Sequence, residues 1–317
     1  MSESNLKRLL IARPRGFCAG VERAIDVVEQ LIRLVNAPLY VRKEIVHNQA
    51  VVVDFQARGV VFVDELHQVP DGSTVVFSAH GIAPAIRQEA AARGLNTVDA
   101  TCPLVTKVHK EVMRHAQQSR HIVLIGHKDH DEVLGTMGEA PDTISLVTSV
   151  EDVEELVVPP GAEVAYVTQT TLSVDETETI VAALRSRFPH IIAPAKSDIC
   201  YATQNRQDAV KELVRLGIEH LLVVGSANSS NSQRLCEVAE RMGTTATLID
   251  GPKDLPLGFL FSHDMLGLTA GASAPEHLVQ DVVQCLQLMG WKPEEVGYLS
   301  EDVSFQLPKE LSTYTDT

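Results

Sequence analysis

The stretch RGFCAGVERAIDVVEQLIRL (residues 15–34) decides the fold. After Cys18, apolar residues recur at helical spacing, at Val21, Ile25, Val28, Leu31 and Ile32, so a helix is expected to begin at the cysteine. The pattern returns in DATCPLVTKVHKEVMRHAQQ (residues 99–118) and SDICYATQNRQDAVKELVRL (residues 197–216). Pro103 directly follows Cys102, and proline suits a first helical position, where its missing N–H is no loss.

Outward from these three segments the chain keeps repeating. EIVHNQAVVVDFQARG (44–59), LIGHKDHDEVLGTMGEA (124–140) and VVGSANSSNSQRLCEVAERMG (223–243) each run from apolar residues through a His/Ser/Asn-rich turn into a helix-period segment. VVFSAHGIAPAIRQEAAARG (75–94), VAYVTQTTLSVDETETIVAALRSRF (164–188) and LGLTAGASAPEHLVQDVVQCLQLMG (266–290) form a second such set. Strand and helix alternating through short connections imply parallel sheets covered by helices. Copies at spacings of 84 and 98 residues imply α/β architecture with three similar parallel units in a pseudo-threefold arrangement. The expected boundaries are 1–101, 102–199 and 200–290, with 291–317 as a C-terminal tail.

Ligands of parallel sheets gather outside the carboxyl ends of the strands, where all these turns lie. Three units facing one centre would bring together Cys18, Cys102 and Cys200, each at a helix N-terminus whose dipole favours thiolate. Converging thiolates point to a metal cluster. Tetrahedral zinc with an open position, or one reactive thiol with the others buried, are the other readings of the same residues. Cys236 and Cys285 fall inside helical segments and read as core. The five cysteines contain no CxxC, and their odd number argues against a disulfide framework.

Composition narrows the function. Lys and Arg number 27 against 42 Asp and Glu, a formal charge of −15, which opposes phosphate-backbone binding, and aromatics at 4% leave few stacking platforms for bases. No nucleic-acid partner is expected. No apolar run reaches the roughly 18 residues of a spanning helix, and Leu9–Ala12 is too short for a secretory signal, so a cytoplasmic protein without a membrane partner is expected. An anionic ligand would have to be held by local dipoles and neutral donors, because the overall field repels it.

The turns supply such donors: His47, Asn48, His80, His130, Thr170, Thr171, Ser229, Ser230, Asn231 and Ser273, with few Lys or Arg among them. His47, His80 and His130 occupy corresponding turns. His109, His115 and His121 lie on or after an expected exposed helix and read as solvated. Glu132 is the carboxylate nominated for proton transfer, and a buried cluster, a bound anion and neighbouring Asp131 would all raise its pKa.

The strings PRGFCAGVERAI, VRKEIVHNQAVV, FSAHG, DATCPLVTKVH, GHKDHDEVLGTMG, TQTTLS, DICYATQNRQ, GSANSSNSQRL and TAGASAP resemble the 4-hydroxy-3-methylbut-2-enyl diphosphate reductase family, also called IspH or LytB. The resemblance runs from about Ile11 past Pro275 and includes the ending FQLPKEL. It implies a central iron–sulfur site, a [4Fe–4S] cluster on Cys18, Cys102 and Cys200 with an open iron that takes the substrate hydroxyl. It implies substrate binding, largely at the diphosphate, by His47, His80, His130, Thr170, Ser229, Ser230, Asn231 and Ser273, with Glu132 as proton donor. The implied reaction gives isopentenyl and dimethylallyl diphosphates, the last step of the non-mevalonate pathway, with a ferredoxin- or flavodoxin-type protein as electron donor. Asp131 stands where relatives commonly have proline. Two other functions fit a three-cysteine open cluster: a quinolinate-synthase-like enzyme, whose substrate lacks a diphosphate, and a non-catalytic iron–sulfur sensor. MSESNL and STYTDT lie outside the resemblance and are expected to be mobile.

Overall fold

A computed structural model describes residues 7–35, 38–260, 262–297 and 300–315. MSESNL lies outside the described residues. The strands are β1 (Arg8–Ala12), β2 (Leu39–Arg42), β3 (Val60–Val63), β4 (Thr74–Phe77), β5 (Asn96–Asp99), β6 (His121–Ile125), β7 (Ile144–Val147), β8 (Val164–Thr168), β9 (His220–Val224), β10 (Thr245–Ile249), β11 (Met265–Ala270) and β12 (Lys292–Val296). The helices are α1 (Ala19–Leu34), α2 (Gln49–Ala57), α3 (Pro84–Ala92), α4 (Pro103–Gln117), α5 (Asp131–Met137), α6 (Val150–Glu155), α7 (Val174–Arg187), α8 (Tyr201–Arg215), α9 (Ser230–Arg241), α10 (Leu257–Leu260), α11 (Glu276–Leu288) and α12 (Ser312–Thr315). Of the STYTDT ending, Ser312–Thr315 are therefore helical.

Among the described residues three sheets form, with orders β10-β9-β11-β1-β12, β3-β2-β4-β5 and β7-β6-β8, and every ladder is parallel. The three-sheet α/β expectation is met. Sequence explains why these strands sit inside: HLLVV of β9, TVVF of β4 and VAYVT of β8 are buried along their whole length, as strands covered on both faces must be. In the five-stranded sheet, Leu9, Ile11, Leu222, Val224, Leu266 and Leu268 pack with α11 on one face. Leu10, Ala12, Leu221 and Val223 pack with α8 and α9 on the other. In the three-stranded sheet, Val123, Ile125 and Tyr166 face α7, and Ile122, Leu124 and Val167 face α4 and α5. Each fully buried Leu, Ile or Val contributes about 1.5–3 kcal/mol, so a single-residue slip of any inner strand would exchange two cores and cost many times that.

The chain divides into two compact units, one of Met1–Cys18, His47–Val51 and Tyr201–Val303, the other of Ala19–Val46, Val52–Cys200 and Ser304–Thr317. The first contains the five-stranded sheet and the second the other two. The repeat boundaries read from the sequence differ from this at both chain ends. Strand β1 pairs with β11 and β12, so the first strand and residues 292–296 join the sheet of the third repeat rather than forming part of a first unit and a tail. Backbone hydrogen bonding of the ladders decides this, and side-chain periodicity carries no record of it. A sheet change does occur at a cysteine: β5 leads to Cys102, while α4 beyond it packs on the three-stranded sheet.

Candidate active site

The cysteines occupy equivalent places. Each stands immediately before its helix, α1, α4 or α8, outside any disulfide and half-buried. Each backbone N–H donates to a carbonyl two residues past the end of a strand: Cys18 to Ala272 after β11 at 3.2 Å, Cys102 to Ala79 after β4 at 2.9 Å, Cys200 to Thr170 after β8 at 2.9 Å. One backbone bond type thus fixes three thiols at three helix N-termini. Cys236 and Cys285 differ: they pack against the two cores of the five-stranded sheet, and burial pushes the Cys236 thiol up to about 12.

In the first unit, the same Ala272 whose carbonyl receives Cys18 donates its N–H to Asn231 Oδ1 at 2.8 Å. Asn231 Nδ2 donates to Thr203 Oγ1 at 3.3 Å. A hydroxyl chain adjoins this amide. Ser232 Oγ donates to Ser229 Oγ at 3.0 Å, Ser229 meets Ser273 Oγ at 3.3 Å, and Ser273 donates to the His47 carbonyl at 2.8 Å. Ser229 also caps α9, accepting the Ser232 N–H. Ser229, Ser230, Asn231 and Ser273 are all buried, as is Asn48, whose Oδ1 accepts the Val51 N–H. No cation lies in this set, so an anion entering it would be met by rotating hydroxyls and the N-terminus of α9.

In the second unit, Thr170 has the place that Ala272 has in the first. Its carbonyl receives the Cys200 N–H, its own N–H donates to Glu132 Oε1 at 2.7 Å, and its hydroxyl donates to Glu132 Oε2 at 3.0 Å. Glu132 lies in the first turn of α5, capped by His130, whose Nδ1 accepts the Glu132 N–H at 3.1 Å. The His130 and His80 rings meet edge to face at 5.9 Å, and His80 Nδ1 is hydrogen-bonded to Ser78 Oγ. Glu132 is 3% exposed, and its carboxyl is pushed up to about 7, chiefly by burial, against the two Thr170 bonds that favour the ion. The nearby negative charge that adds to the shift is Asp198; the expected push from Asp131 is absent.

Two further expectations are corrected here. His109 and His115 are 4% and 1% exposed, because α4 packs onto the three-stranded sheet and turns them to its flanks, where His109 meets Glu139 at 2.9 Å and His115 meets Glu111 at 3.8 Å. His121 is half-buried and hydrogen-bonded to Ser145. Sequence reading also missed Arg23, Lys107, Arg206 and Asp198, which surround the cysteine loops. For the three cations the signal was a Lys or Arg five or six residues past each cysteine.

These features describe a parallel α/β protein in which three half-buried thiols and a buried carboxyl are fixed by strand-end peptides. The sequence model of the family described as LytB protein matches residues 9–287, and the chain belongs to that family. Curated relatives named 4-hydroxy-3-methylbut-2-enyl diphosphate reductase include those of Bordetella pertussis, 57% identical across 96% of this chain and 94% of the relative, and Ralstonia nicotianae, 55% identical across 96% and 94%. The solved E-1-hydroxy-2-methyl-but-2-enyl-4-diphosphate reductase of Plasmodium falciparum superposes with a TM-score of 0.92 at 38% identity, covering 98% of both chains.

Proposed function

We propose that the chain reductively dehydroxylates (E)-4-hydroxy-3-methylbut-2-enyl diphosphate to isopentenyl and dimethylallyl diphosphates, the last step of the non-mevalonate isoprenoid pathway. The observation that carries this is 57% identity, over 96% of the chain, to a relative named for that activity. Two electrons and two protons enter; the C4 hydroxyl leaves as water.

An iron–sulfur cluster is the implied cofactor, and the donor set suits one: three thiols, half-buried, outside disulfides, each at a helix N-terminus. We assign a [4Fe–4S] cluster to Cys18, Cys102 and Cys200; when bound it supplies the electrons and a Lewis-acidic iron toward the hydroxyl. Glu132 is the proton donor. With its carboxyl near 7 it carries a proton through much of the neutral range, and the Thr170 N–H and hydroxyl hold both oxygens in one orientation. Ser229, Ser230, Asn231, Ser273 and Thr170, with His47, His80 and His130, bind the substrate, largely at the diphosphate. Binding the non-reacting diphosphate end orients the reacting hydroxyl. Among the described residues no helix is long and apolar enough to cross a membrane; we assign the enzyme to the cytoplasm, with a ferredoxin- or flavodoxin-type protein as its electron donor.

Anaerobically prepared protein assayed with reduced viologen and the diphosphate tests the reading; absence of turnover overturns it. For the ligands, Cys102→Ser is expected to lose iron on anaerobic reconstitution, and Cys236→Ser to retain it. Unchanged iron in Cys102→Ser removes that cysteine from the set.

A further inference from the structure

In each repeat a cationic side chain, five or six residues past one cysteine, holds the backbone that leads into another. Arg206, on the helix after Cys200, is fully buried and donates to the Gly16 carbonyl from Nε at 3.1 Å and from Nη2 at 2.7 Å, and to the Phe17 carbonyl at 3.3 Å, the two residues before Cys18. Arg23, on the helix after Cys18 and 9% exposed, donates to the Thr101 carbonyl, next to Cys102, at 3.0 Å. Lys107, on the helix after Cys102, donates to the Lys196 and Ser197 carbonyls at 3.0 and 2.9 Å and to Asp198 Oδ1 at 3.0 Å, in the approach to Cys200.

The C-terminal segment completes two of these contacts. Glu301 receives Arg206 at 3.1–3.2 Å, and the Gln306 carbonyl receives Arg23 at 2.7 Å. For Lys107 the counter-charge is Asp198, on the approach loop itself. Arg206 and Arg23 are buried cations, costly to desolvate unless their carbonyl partners are in place, and Lys107, 36% exposed at its side chain, makes up for weaker burial with three donated bonds, so each restrains the loop it touches.

We infer that Arg23, Lys107 and Arg206 are positioning residues that form a closed relay: the helix behind each cysteine fixes the approach to the next. The inference rests on Cys18, Cys102 and Cys200 being the cluster ligands. It makes a demand that general stabilisation does not. Removing a cation must loosen the cysteine its side chain reaches, not the one that starts its own helix.

The test is the rate of N-ethylmaleimide labelling of each thiol, read peptide by peptide by mass spectrometry on the full-length iron-free chain. Arg206→Met is expected to raise Cys18 labelling by about fivefold or more, the effect of losing one charge-assisted hydrogen bond on local opening, with Cys200 unchanged. Arg23→Met shifts Cys102 and leaves Cys18; Lys107→Met shifts Cys200 and leaves Cys102. Equal acceleration at all three thiols, acceleration at the substituted helix's own cysteine, or no change overturns the relay. Should Arg206→Met fail to fold, Arg206→Lys and Glu301→Gln carry the same criterion. Labelling needs no cluster, so a failed relay is distinguishable from a wrong ligand set, which the iron content of Cys102→Ser reads.

Discussion

Glu132 shows how a residue's chemistry is set by its surroundings. Its type and place beside His130 were legible in the sequence; the Thr170 bonds and the Asp198 charge were not, because both come from segments tens of residues away. Glu132→Gln is expected to lower kcat by about a hundredfold or more with little change in KM, since the amide keeps the shape and cannot donate an acidic proton. In the parent protein kcat/KM should decline as pH rises through about 7, and the residual rate of the Gln variant should lack that limb. Stability follows the same group. Its folded pKa lies above the ordinary 4.5, so its contribution is fully present below about 4.5 and is lost as pH rises through about 7, on the order of 3 kcal/mol. Thermal unfolding between pH 4.5 and 8 checks this, and the dependence should flatten in Glu132→Gln.

Among the elements, the helices headed by cysteine were the clearest in the sequence, because amphipathic spacing and a single Pro103 mark α1, α4 and α8 directly. The burial of His109 and His115 was not legible, since spacing along α4 does not say how wide a strip the sheet covers. The turn before α9 depends on two glycines whose reason appears only in three dimensions. A Cβ at Gly271 or Gly225 would run into the Ser232 side chain, which donates to the Ser229 cap. Gly271→Ala is therefore expected to cost roughly 2–4 kcal/mol from overpacking and loss of the cap, and to raise KM for the diphosphate more than it lowers kcat. Steady-state kinetics with a urea unfolding curve measures both. An unchanged KM would separate this turn from the substrate.

At the scale of the whole molecule, three repeats predicted three sheets, and three sheets are found. What the repeats could not reveal is that the first and last strands share one of them. Removing residues 291–317 deletes β12 and its ladder with β1, the pairs of Arg8, Arg13 and Arg15 with Glu294 and Glu295, the core side chain Trp291, and the Glu301 partner of buried Arg206. Loss of that last partner alone is expected to cost about 3–5 kcal/mol, because a buried charge is left uncompensated. The truncated chain should melt well below the full one and retain less iron; equal melting temperatures would show residues 291–317 to be dispensable.

Among the described residues, strand β1 finds its ladder partners at residues 265–296. During synthesis it must wait, unpaired, until residues 265–296 have followed. The loop carrying Cys18 gains its backbone anchor at Ala272 no sooner. Placing the Cys18 thiol is thereby made a late event, and a nascent fragment released before residue 272 would lack that anchor.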